Sequence, residues 1–130
     1  MTRARRAFVA LGSNLGDRAA ALESALVDLD ALHGVHVARV SGFHRTAPVG
    51  GPPGQGDYLN AVAEVRTTLS PEELLRETQR IEAAHGRDRR REERNGPRTL
   101  DLDLLWMEGE ARATADLQLP HPRFEDRAFV

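Results

Sequence analysis

The chain contains no cysteine, so neither a disulfide framework nor a thiolate metal site is open to it. It contains no lysine either: all 18 of its basic residues are arginine. A Walker A phosphate loop requires a lysine, and that mode of nucleotide binding is excluded. No apolar run approaches the roughly 20 residues that a membrane-spanning helix needs. The opening MTRARRAFVALGSN lacks the apolar core and cleavage site of a signal peptide. A cytoplasmic protein with no membrane partner is expected. The formal net charge of −2 argues against general affinity for nucleic acid. A length of 130 residues suits one domain, residues 1–130, and a monomer is expected.

What is present has a clear order. Arg5–Leu11 reads as a strand closed by the turn-rich GSNLGD, in which Gly12 and Gly16 serve a strand-to-helix turn. From Asp17, Leu22, Ala25, Leu26, Leu29 and Leu32 recur at helical spacing, and Gly34 is the expected C′ residue. Val35–Thr46 reads as one long strand. The stretch Ala47–Asp57 holds four glycines and three prolines and must be a loop. Tyr58–Thr67 alternates, with Leu59, Ala61, Ala63 and Val65 on one face and Tyr58, Asn60 and Glu64 on the other. Ser70-Pro71-Glu72-Glu73 is a helix start with a capping box, and Leu74, Thr78 and Ile81 carry that helix's inner face up to Gly86. Arg87–Pro97 is charged and aperiodic. The strand TLDLDLLWM follows, then a hairpin turn at Glu108–Glu110 and a short strand near Leu117–Leu119. The order β-α-β-β-α-β predicts an α+β fold: a ferredoxin-like two-layer sandwich, mainly antiparallel, with both helices on one face.

That architecture gives meaning to two carboxylates in a leucine-rich strand. Leu100, Leu102 and Leu104 face the helices, and Thr99, Asp101 and Asp103 face the uncovered side. Residues two apart on a strand lie roughly 6.5–7 Å apart on one face. Two acids so placed, with no cysteine or nearby histidine, suit Mg²⁺ or Mn²⁺ that leaves positions open for phosphate. Asp-x-Asp alone is short and common, and surface acids explain many instances. Here Arg87, Arg89, Arg90, Arg91, Arg94 and Arg98 lie just upstream. Guanidinium forks beside a divalent cation are what polyphosphate recognition asks for. His121 sits between two prolines, whereas His33, His36, His44 and His85 show no ligand spacing.

The segments ALGSNLGD, YLNAVAEV, SPEELLRETQRIEAAHGR, GPRTLDLDLL and LPHPRFEDRAF, in that order, resemble the 6-hydroxymethyl-7,8-dihydropterin pyrophosphokinases of folate biosynthesis. The resemblance implies pyrophosphate transfer from ATP to the pterin hydroxymethyl group, releasing AMP, with two Mg²⁺ ions. It implies Asp101 and Asp103 as metal ligands. On the pterin side it implies Thr46, Val49, Tyr58, Asn60 and Phe129, and on the ATP side Gln79, Glu82, Arg87, Arg89, Arg98, His121 and Arg127. Arg98, His121, Arg127 and Asp103 are the expected catalytic group. The loop Val49–Asp57 and the arginine loop match segments that close over substrates. Asn95 stands where relatives often have tryptophan, the arginine loop is one residue longer than in many of them, and the C-terminal extension they carry is expected to be missing beyond Val130. Two rival readings are a two-metal nuclease or nucleotidyl transferase, and a ferredoxin-like RNA- or small-molecule-binding module. The latter calls for stacking aromatics on the open sheet face, where this chain offers acids.

Overall fold

The computed structural model describes residues 3–13, 17–46, 57–85, 100–115 and 117–121. Strand β1 (Arg5–Ser13) leads to helix α1 (Arg18–Ala31), then β2 (Val35–Val40), β3 (His44–Thr46) and β4 (Tyr58–Thr67). Helix α2 (Pro71–Ala84) and β5 (Asp101–Met107) follow, and a small ribbon of β6 (Arg112–Ala113) and β7 (Gln118–Leu119) completes the described part. The main sheet runs β2-β4-β1-β5, with β3 also on β4, and each pairing is antiparallel. β1-α1-β2 is split by β4, and β4-α2-β5 by β1, which is the ferredoxin-like arrangement expected from the element order.

Each helix starts where its capping chemistry is strongest. The Asp17 carboxylate accepts the Ala20 N–H at 3.1 Å and begins α1. Ser70 Oγ accepts from Glu73 N at 3.1 Å while Glu73 accepts from Ser70 N at 3.0 Å, with Pro71 in the first turn of α2. Both helices cover one sheet face. Leu22, Ala25 and Leu29 of α1 and Leu74 and Ile81 of α2 meet Ala7, Val9, Leu11, Ala61, Ala63, Val65, Leu102 and Leu104 in one core. Gly34 has φ +83°, and a Cβ there would lie 2.7 Å from Thr68 Oγ1, so the turn into β2 demands glycine. It stands one residue beyond the expected C′ position, because Leu32 is the cap.

Three local expectations change. Val35–Thr46 is not one strand: the chain leaves the ladder at Ser41–Phe43, where β2 and β3 together accommodate one extra residue opposite β4. Gly12 and Ser13 belong to β1 and pair with β4 rather than forming a turn. The turn at Glu108–Gly109 forms, but β6 pairs with β7 and not with β5.

Arg112 clamps this ribbon to the start of α2, reaching Glu72 at 2.6 Å and Glu110 at 2.8 Å, and Arg5 also pairs with Glu110. The hydrogen bond from Arg112 holds the Glu72 carboxyl below its ordinary pKa, and bonds from Arg5 and then Arg112 do the same for Glu110. A carboxyl depressed in the folded state contributes stability above its unfolded value, near 4.5, and loses it as pH falls through the folded value. The urea midpoint should therefore fall as pH drops below about 4.5, and Arg112→Met should flatten that dependence. Core packing supplies a second check. Leu29→Ala should cost about 2–5 kcal/mol in urea unfolding. Val27→Ala, on the outer side of α1 at 67% exposure, should stay within about 0.5 kcal/mol.

Candidate functional site on the open sheet face

The face turned away from the helices carries the site, because strand register delivers the polar residues to one place. Directly paired residues in an antiparallel ladder share a face. Gly12 of β1 pairs with Asn60 of β4 on one side and Asp101 of β5 on the other. One step along, Ala10 pairs with Val62 and Asp103. On the far side of β4, His44 pairs with Asn60, and Thr46 with Tyr58. An amide, a glycine floor and a carboxylate thus lie in one row, with the second carboxylate in the next. Two strand spacings put Asn60 and Asp101 about 10 Å apart at Cα.

Asn60 is the most constrained member. It is buried, and its Nδ2 donates to Thr46 Oγ1 at 2.7 Å and to His44 O at 3.3 Å. A backbone carbonyl can only accept, so the amide nitrogen must face His44. The other end, Oδ1, leans over Gly12: a Cβ at Gly12 would lie 3.2 Å from it and 3.5 Å from the Tyr58 ring. The row therefore presents an oriented acceptor above a side-chain-free floor. Tyr58, half-buried, forms one wall.

On the acid side, β5 is the edge strand. Asp101 and Asp103 are half-buried, while Leu102 and Leu104 between and after them are in the core. After Asp103 the alternation slips: Phe8 pairs with Trp106 and Val9 with Leu104, leaving Leu105 as the extra residue of a bulge. Leu105 turns to the open face, where it is buried with Ala10 and Val62 beside Phe8 and Trp106. Its carbonyl accepts the backbone N–H of His121 at 2.7 Å. From near the end of α2 the buried Glu82 reaches the same strand, its Oε2 accepting Leu102 N–H at 2.8 Å. Gln79 lies exposed one turn earlier on α2.

A family model described as 7,8-dihydro-6-hydroxymethylpterin-pyrophosphokinase matches residues 8–130. The chain belongs to this pyrophosphokinase family. A 2-amino-4-hydroxy-6-hydroxymethyldihydropteridine pyrophosphokinase of Bacillus subtilis is 46% identical over 124 residues, which cover 95% of this chain and 72% of the relative. That of Haemophilus influenzae is 44% identical over 124 residues, covering 95% and 76% of the two chains. The enzyme of Methylorubrum extorquens is 44% identical over 125 residues, covering 96% and 77%.

Within this pyrophosphokinase chain, register brings together Thr46, Tyr58, Asn60, Asp101 and Asp103 on one surface. His121 is tied by its backbone to the strand of the acids, and Glu82 approaches that strand from the helix side. Val49, Arg87, Arg89, Arg98, Arg127 and Phe129 lie outside the described residues, as do Asn95 and loop arginines 90, 91 and 94. Sequence reasoning missed Gly12 as the floor; its signal was a glycine on the outward phase of a strand, where a side chain would fill the space between polar groups. It missed the bulge at Leu105, whose trace was Leu-Leu breaking a strict alternation. Of the histidines set aside, His44 supplies its backbone to Asn60, and His85 bridges the helices to Asp28 at 3.2 Å.

Among the described residues no three histidine or acid side chains group as a metal cage. Two carboxylates on one face suit another kind of site, where a hard cation keeps water and takes its remaining oxygens from a phosphate. Because these acids face away from the core, Asp101→Asn and Asp103→Asn should each leave the unfolding free energy within about 1 kcal/mol. Leu102→Ala, one residue away but facing the helices, should cost about 2–5 kcal/mol. Urea titration without metal separates the two faces of the strand.

Proposed function

We propose that the chain transfers the β,γ-pyrophosphoryl group of ATP to the hydroxymethyl oxygen of 6-hydroxymethyl-7,8-dihydropterin, a step of folate biosynthesis. The hydroxymethyl oxygen bonds to the β-phosphorus, the bond from that phosphorus to the α-phosphate oxygen breaks, and the hydroxyl proton is released. The products are AMP and the pterin diphosphate. Family membership sets the reaction class. The observation that supports its placement here is the row Asn60–Gly12–Asp101.

The pterin rests on the Gly12 floor against Tyr58. Asn60 Oδ1, fixed in orientation by Thr46 and His44, accepts from the N–H donors of the heterocycle edge. A flat, donor-rich ring is what an oriented acceptor beside an aromatic wall selects. Thr46 and Val49 offer backbone groups to the same edge, and Phe129 gives a second apolar contact. Asp101 and Asp103 would hold two Mg²⁺, whose chemistry is to neutralise and align the phosphates. Arg98, Arg127 and His121 stabilise charge on the transferred group and the leaving AMP. Gln79, Arg87 and Arg89 make up the ATP side, with Glu82 behind the strand of the acids. Catalysis on this reading comes from positioning and electrostatic stabilisation, since phosphoryl transfer asks for little covalent chemistry from the protein.

The test is direct. The folded protein, incubated with ATP, Mg²⁺ and 6-hydroxymethyl-7,8-dihydropterin, should form AMP and pterin diphosphate in equal amounts. Absence of AMP from a folded sample overturns the reading. Asn60→Ala should raise KM for the pterin by about 10- to 100-fold, the loss of one buried hydrogen-bonding group, with KM for ATP little changed. An equal rise in both would remove Asn60 from the pterin side.

A further inference from the structure

The backbone between the two acids is held from two directions. Asp101 and Asp103 pair with Gly12 and Ala10 on β1, while Leu102 N–H points the other way, to Glu82. Successive residues of a strand direct their backbone groups to opposite sides. Among the described strands β5 lies at the edge of its sheet, where outward groups have no neighbouring strand. A carboxylate from α2 takes that place. Glu82 is 2% exposed, and a buried carboxyl needs hydrogen-bond partners that repay its desolvation. The 2.8 Å bond from the Leu102 backbone N–H is one such partner.

Thr78, one turn earlier, satisfies its hydroxyl within its own helix on Leu75 O, and Leu74 and Ile81 simply pack. Glu82 alone on this helix reaches across to the backbone of β5 among the described hydrogen bonds. The residue it grips is the one between the two acids. Fixing Leu102 fixes the pleat on either side of it, and with it the directions in which Asp101 and Asp103 leave the strand.

We propose that Glu82 is a positioning residue for the acid pair: its bond to Leu102 N–H holds Asp101 and Asp103 in the mutual orientation that a divalent cation requires. The role rests on reading those acids as the Mg²⁺ ligands. It assigns Glu82 to the support of the metal site, with ATP affected only through that site. The property tested is the acceptor atom for the Leu102 N–H, which glutamine keeps and methionine lacks.

The experiment follows two quantities in wild type, Glu82→Gln and Glu82→Met. One is hydrogen exchange at the Leu102 amide, and the other is the Mg²⁺ concentration giving half-maximal AMP formation. In Glu82→Met the amide should exchange faster and the Mg²⁺ requirement should rise by about 10- to 100-fold, as when a group that orients a metal ligand is removed. KM for the pterin should not move. In Glu82→Gln both quantities should stay close to wild type. The proposal stands if the Mg²⁺ requirement follows Leu102 exchange across the variants. It falls if Glu82→Gln keeps a protected amide yet needs as much Mg²⁺ as Glu82→Met, or if a freed amide leaves the requirement unchanged. Should Glu82→Met fail to fold, Glu82→Gln applies the same rule by itself. Failure of the underlying reading looks different: wild type then makes no AMP at any Mg²⁺ concentration, which removes the positioning role with it. Failure of the positioning role alone leaves an active wild type whose Mg²⁺ requirement ignores Glu82.

Discussion

The central constraint is the register of β1 between β4 and β5. One strand, through its backbone alone, decides that Asn60 and Asp101 fall in the same row and that the space between them is floored by Gly12. A slip of one residue in either ladder would turn the polar set into the core and the leucines to the open side. Core packing is what forbids the slip. Ala7, Val9 and Leu11 are buried in the core beneath the helices, so every outward residue of β1 is fixed by the inward ones. The open polar surface is thus specified by residues buried on the opposite face.

Burial then divides the labour within each strand. In β5, Leu102 and Leu104 hold the sheet to the helices while Asp101 and Asp103 remain available on the other side. In β4 the division is less strict, since Asn60 is itself buried. Its two amide bonds, to Thr46 and to His44 O, compensate that burial and set its orientation together. A residue that must be satisfied to be buried is thereby aimed. The interruption at Ser41–Phe43 serves the same end, because it allows β3 to re-enter the sheet with His44 opposite Asn60.

Much of this was legible in the sequence. Alternation in Tyr58–Thr67 and in Asp101–Leu104, the Ser70 capping box and the Asp17 helix start rest on short-range rules and formed as read, whereas Thr99 lies outside the described residues. The open-face location of the acids followed from the leucine phase alone. What was not legible depends on partners distant in the chain. No local pattern says that Gly12 meets Asn60 and Asp101, that Thr46 will accept from Asn60, or that Glu82 will turn inward to Leu102 rather than outward to solvent. The break at Ser41 escaped for the same reason: Ser41 leaves the regular ladder by exchanging bonds with Val62, and Val62 is fixed by β1.

The bulge at Leu105 reaches further than its one extra residue suggests. A regular ladder would direct the next carbonyl toward β1 or into the edge; here it is given to His121 N–H. That bond ties the backbone at His121 to the strand that bears the acids. Neither can open without breaking the bond that orders the other. Restraint on either one is passed to the other through backbone, with no side chain as intermediary.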